Sequence, residues 1–107
     1  MSEYFIQALS RVGFDPTKAT KADLAGGERL FVGLNCFEPG QHQRVHTHAG
    51  ADKVYFLVSG KARMTVGDDT REVAAGTLVW APAGVPHGVI EAIERTVMLV
   101  AIAPAPG

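Results

Sequence analysis

Four histidines carry the chemistry this chain can do. Three fall within seven residues, Gln41-His42-Gln43-Arg44-Val45-His46-Thr47-His48, and the fourth, His87, closes the patch Pro82-Ala83-Gly84-Val85-Pro86-His87. Neutral imidazole is a good ligand for borderline transition metals, and its second ring nitrogen can donate to an outer acceptor. Side chains two apart in a strand share a face, so His46-Thr47-His48 has the spacing of a chelating pair. If the strand ran unbroken from residue 42, His42 and Arg44 would join that face. A His-x-His pair alone is common on strand surfaces. His87 strengthens the metal reading because prolines and glycine stiffen the turn that presents it.

The elements that must position these residues are strands. Candidate strands cover residues 29–37, 41–48, 53–59, 61–66, 70–73, 77–80, 87–92 and 96–103. Turn signals separate them: Glu38-Pro39-Gly40, Ala49-Gly50-Ala51-Asp52, Gly60, Gly67-Asp68-Asp69, Ala75-Gly76, Pro82–Pro86 and Glu94-Arg95. Short strands with such punctuation predict an all-β antiparallel sandwich or barrel. Residues 2–12 read as a short amphipathic helix or an irregular arm, and residues 13–27 as turns around an edge strand near 17–22. Residues 1–27 are thus an N-terminal arm at the barrel edge or a dimer interface, and residues 28–107 the barrel. Gly40, Gly60, Gly76 and Gly84 read as turn residues of unusual backbone conformation.

A chain of 107 residues is one domain. Chains this small bury only about 60–65% of their unfolded surface, so an efficient core, a metal or a partner subunit is needed. Phe5, Ile6, Leu30 and Val32 are candidates for a homodimer interface. The net charge of -1 gives no electrostatic case for nucleic acid or an anionic membrane. No stretch is long and apolar enough for a membrane span. The single cysteine, Cys36, lies in an apolar run and reads as a buried, inert thiol. With no basic and apolar leader pattern after Met1, the expectation is a reducing, cytoplasmic setting.

The spacing around the histidines resembles the cupin superfamily. Its first motif, G(X)5HXH(X)3,4E(X)6G, is matched by Gly40, His46, His48, position 53 and Gly60. Its second, G(X)5PXG(X)2H(X)3N, is matched by Gly76, Pro82, Gly84 and His87, and ends at Glu91 in place of asparagine. The resemblance implies a small antiparallel jelly-roll, the double-stranded β-helix barrel, commonly dimeric. It also implies a divalent transition metal (Fe, Mn, Ni, Cu or Zn) on His46, His48 and His87.

One motif position departs from the pattern. Lys53 stands where the family places a glutamate ligand, and a protonated lysine cannot ligate a metal. Three accounts are open. A bulge could turn Asp52 inward; three histidines could suffice, with water, Gln41, His42 or Gln43 as neighbour; or the pocket could take a small ligand without metal, with Lys53 attracting a carboxylate or pairing with Asp52 or Glu91 at the rim. His42 is a fourth imidazole, an outer donor or an exposed residue. Lys53, Tyr55 and Trp80 are expected to line the pocket. The resemblance implies an oxygenase, isomerase or decarboxylase-like activity on a small organic molecule. The alternative is a non-catalytic binding or sensing module.

Overall fold

The computed structural model describes residues 4–106. A 3-10 helix, Ala8–Arg11, precedes nine strands: β1 (Thr20–Gly26), β2 (Phe31–Phe37), β3 (Gln43–His46), β4 (Asp52–Ser59), β5 (Lys61–Val66), β6 (Asp69–Ala74), β7 (Leu78–Ala81), β8 (His87–Ala92) and β9 (Thr96–Ala103). They make two antiparallel sheets, β1-β2-β9-β4-β7 and β3-β8-β5-β6. The fold is the all-β antiparallel jelly-roll, a double-stranded β-helix.

Strand alternation builds the core. Along β4, Lys53, Tyr55 and Leu57 point inward while Asp52 and Phe56 are exposed. Tyr55, Leu57, Phe37, Met98 and Val100 from one sheet meet Ala62, Met64 and Val89 from the other. Strand β2 is buried on both faces, which explains its almost unbroken apolar run. Its outer residues Leu34 and Cys36 pack with Val97 under Val12 and Phe14 of the N-terminal segment. The Cys36 thiol is free and buried there.

The edge strand differs in extent from the expected 17–22. The stretch Asp15–Lys18 is a turn, with the Thr17 amide donating to Asp15 Oδ1 at 2.8 Å. The strand begins at Thr20 and continues to Gly26, because β2 offers a paired edge along its length. Tertiary pairing overrides the glycine there. Residues 20–26 are therefore hydrogen-bonded into the five-stranded sheet.

Two glycines let the chain close up, one at the β4–β5 turn and one beside His87. Gly60, at φ 91°, joins β4 to β5, where a Cβ would collide with the Arg95 carbonyl and with Thr96. A Cβ on Gly88 would lie 2.9 Å from both the Gln43 oxygen and the Val45 Cα. Strand β3 can lie against β8 only because that side chain is missing.

Candidate metal centre

Strand pairing brings the histidines together. His46 and His87 are direct cross-strand partners on β3 and β8. His48 lies two residues beyond His46, past the end of β3, and its carbonyl accepts the Gly84 amide at 2.8 Å. The 82–86 loop is held further by the Ala83 amide donating to Asp52 Oδ1 at 2.9 Å and the Gly67 amide donating to the Pro86 carbonyl at 2.8 Å. Three ties thus hold the loop that presents His87.

The rings form a tight group, with centroids 4.7 Å (His46–His48), 4.6 Å (His46–His87) and 5.3 Å (His48–His87) apart. One ligand nitrogen from each lies within 4.8 Å of the others. Backbone carbonyls set the ring orientations. His46 Nδ1 sits 2.8 Å from the Arg44 oxygen, and His87 Nδ1 sits 2.9 Å from the Val85 oxygen. In each case Nδ1–H is the donor and the Nε2 lone pair is left for another partner. His46 Nε2 lies 3.1 Å from His48 Nε2. That spacing suits two nitrogens on one metal, since bonds of ~2.1 Å place neighbouring ligands roughly 3.0–3.4 Å apart. His87 Nε2 is buried and, among the described residues, is the one buried side-chain N or O atom without a hydrogen-bond partner. An orphaned buried nitrogen is costly unless something binds it. The donor set and the orphan both fit a metal.

Electrostatics favour the ligand form. Burial holds the His87 and His48 imidazoles below their ordinary 6.5, and the charges of His46 and Lys53 push the same way. Neutral imidazole is the species that ligates.

Lys53 points inward and is only 4% exposed. Its Nζ lies 4.4 Å from the centroid of the Tyr55 ring. Burial, with Lys21 adding like charge, brings its ammonium down to about 8. Tyr55 is fully buried, its ring 6.2 Å from that of His87, and its hydroxyl donates to Gln43 Oε1 at 2.8 Å. Burial pushes that phenol up from its ordinary value. Changing Tyr55→Phe leaves Gln43 Oε1 without its donor and is expected to cost about 1 kcal/mol in urea unfolding. An unchanged midpoint contradicts that role.

Several expected positions are corrected. Asp52 does not turn inward: β4 is regular there, and its carboxylate holds the Ala83 amide outside the site. Trp80 does not line the pocket. It pairs with Val54 on the outer face of β7, is 53% exposed, and leaves the inward place to Ala81. Arg44 and His42 do not share the face of His46. Between the pairs Gln43–Val89 and His46–His87, β3 advances three residues while β8 advances two. This bulge turns Gln43 inward and leaves Arg44 and His42 exposed. Gln41 is committed elsewhere: its amide donates to the Asp15 carbonyl at 2.7 Å and its oxygen accepts the Glu38 amide at 2.8 Å. Glu91 pairs with Arg63 at 2.9 Å, so neither it nor Asp52 answers Lys53.

A cavity of about 490 Å³ is lined by Lys21, Asn35, Phe37, Gln41, His42 and Gln43 among others, and by none of His46, His48, His87 or Lys53. Gln43 belongs to both, lining the cavity and holding the Tyr55 hydroxyl. Lys21 and Asn35, register partners on β1 and β2, are cavity-lining residues that the motifs do not single out. The one signal in the sequence is a lone asparagine inside the apolar run Leu34-Asn35-Cys36.

The profile of the cupin domain family matches residues 33–103. This chain belongs to the cupin family. The cupin is similar to an uncharacterised protein of Streptomyces coelicolor, 42% identical over 75 residues that make up 70% of each chain. It is also similar to a protein of known crystal structure from Thermus thermophilus, with a TM-score of 0.90 at 35% identity over 97% of this chain and 100% of that one. The fold is shared with KdgF from Halomonas sp., with a TM-score of 0.86 at 19% identity over 98% of this chain and 96% of the other.

Proposed function

We propose that this cupin holds one divalent transition metal on His46, His48 and His87 and acts on a small organic molecule admitted beside it. The observation that carries this is the His87 Nε2 atom, buried without a partner and aimed at the two other imidazoles. When bound, the metal would supply Lewis-acid or redox chemistry at open coordination positions. The chain's own part is to orient the His46 and His87 rings through the Arg44 and Val85 carbonyls, to hold the His48 backbone through the Gly84 amide, and to favour neutral His48 and His87 by burial. Iron, manganese, nickel, copper and zinc all suit such a nitrogen set. In Cu(II)-loaded, untagged protein, the electron paramagnetic resonance spectrum is expected to show imidazole nitrogen hyperfine structure. A spectrum without it contradicts the assignment. The lysine at position 53 favours a second reading, a non-catalytic binding or sensing module. Loaded protein that binds small molecules but turns none over would support that reading.

The chain is further read as a homodimer. The row Val32–Ala101–Val54–Trp80 crosses four strands on the outer face of the five-stranded sheet, beside Phe56 and Leu78. Leu78 is 61% exposed and Phe56 39%. Apolar surface of this kind is what a second copy covers. The double change Leu78→Glu with Trp80→Glu is expected to shift sedimentation from dimer to monomer. Wild-type protein that sediments as a monomer contradicts the reading. Among the described residues no helix is long and apolar enough to cross a membrane. The free, buried Cys36 suits a reducing compartment, and the cytoplasm is the proposed location.

A further inference from the structure

Lys53 is a buried cation that no carboxylate answers. Among the described residues the ion pairs are Arg63 with Glu72 and Glu91, Arg71 with Asp69, and Arg95 with Glu38, all at the surface. Lys53 has only the face of the Tyr55 ring, 4.4 Å from its Nζ. A ring face offsets part of the cost of burying an ammonium, far less than a paired anion does. The surroundings add to the imbalance. Lys21, exposed on the edge strand β1, adds like charge that is felt at both Lys53 and His48. The 490 Å³ cavity, linked to this interior through Gln43 and the Tyr55 hydroxyl, has the exposed Lys18 and Lys21 and no aspartate or glutamate in its lining. It also offers the amides of Asn35 and Gln43, and Asn35 is only 3% exposed. A dication on three neutral imidazoles would raise the positive charge further, because the glutamate that would offset it is replaced by Lys53 itself.

We propose that this interior is built to receive a small organic acid, whose carboxylate pairs with the Lys53 ammonium while the rest of the molecule lies in the cavity lined by Lys21, Asn35 and Gln43. The inference rests on reading the histidine-lined interior as the ligand site. It takes the substrate class from the charge left unbalanced there. A carboxylate at Lys53 accepts a charge-assisted hydrogen bond and neutralises the site in one contact. A neutral or cationic ligand of the same shape leaves the ammonium without a counter-charge.

The test is calorimetric titration of untagged protein, both chelator-stripped and Zn(II)-loaded. The probes are malonate and lactate, each against its neutral amide, malonamide or lactamide. At least one acid is expected to bind, and its amide at least about tenfold more weakly. Lys53→Met is expected to weaken acid binding roughly ten- to a hundredfold with metal content unchanged, and Lys53→Gln to repeat this should the first variant fold poorly. Acid binding that depends on Lys53 in stripped protein, with no zinc taken up, would sink the metal reading and leave this one standing. Zinc uptake with neither acid bound, with acid and amide bound alike, or with acid affinity unmoved in both variants overturns the proposal.

Discussion

Replacing Lys53 with methionine is expected to stabilise the metal-free, ligand-free protein at pH 7 by on the order of 3 kcal/mol. The figure follows from the ammonium's fall from 10.5 to about 8 inside the barrel. Each pH unit of such a shift is about 1.4 kcal/mol of preference for the neutral form. At pH 7 lysine carries its proton in both folded and unfolded chains, so the folded state bears the full cost of a buried charge. As pH rises from about 8 toward 10.5, folded Lys53 releases its proton while the unfolded chain keeps it. The unfolded state then binds more protons, and wild-type stability rises with pH. Methionine is of similar length and uncharged, so the variant lacks that gain. Urea midpoints for the two proteins should therefore differ most near neutrality and converge in alkali. A difference that stays constant across this range contradicts a buried, unpaired ammonium. The cost also bears on function, since a chain that accepts it at rest recovers it when an anion is bound.

The second large effect concerns His87. Excess metal is expected to raise the unfolding free energy of wild-type protein, by about 4 kcal/mol at a thousandfold excess over the dissociation constant. His87→Ala should abolish most of this gain. Its Nε2 is the atom whose burial without a partner points to a bound ion, and two remaining imidazoles make a far weaker site. Altering residues that merely orient a ligand already lowers metal affinity by about 10–100-fold, and losing the ligand itself should exceed that. Without metal the variant changes stability for ordinary packing reasons, so the diagnostic quantity is the increment on adding metal. The increment should also fade in wild-type protein as pH falls below 6.5, where protons compete for the nitrogens. The depressed values of His48 and His87 place that competition on the acid side of the ordinary imidazole range. A His87→Ala protein that gains as much from metal as wild type contradicts the site.

The parts of this molecule that follow local rules are legible in the amino-acid sequence. The runs at 87–92 and 96–103 form β8 and β9 with those bounds, because turns and β-branched residues delimit them on both sides. The spacing of His46, His48 and His87 relative to four glycines points to one pocket, and the three rings are indeed adjacent. What is not legible depends on partners distant in the chain. Leu78-Val79-Trp80-Ala81 is apolar throughout, so nothing in it tells which alternate residues face inward; the pairing with β4 puts Trp80 outside. The bulge in β3 lies opposite Gly88 of β8, and it exchanges Arg44 for Gln43 at the inner face. Lys21 reaches the cavity lining only through the pairing of β1 with β2. The missing glutamate is plain from the motif spacing. Its consequence comes from the pairing pattern, which leaves Lys53 buried and in none of the ion pairs.

The central claim is that His46, His48 and His87 hold a metal inside the barrel. Elemental analysis of protein made without a polyhistidine tag, reconstituted and then dialysed, tests it most directly. About one transition-metal ion per chain should remain in wild-type protein and in Lys53→Met, and well below half of that in His46→Ala and His87→Ala. Wild-type protein that retains no metal after reconstitution, or alanine variants that retain as much as wild type, would contradict it.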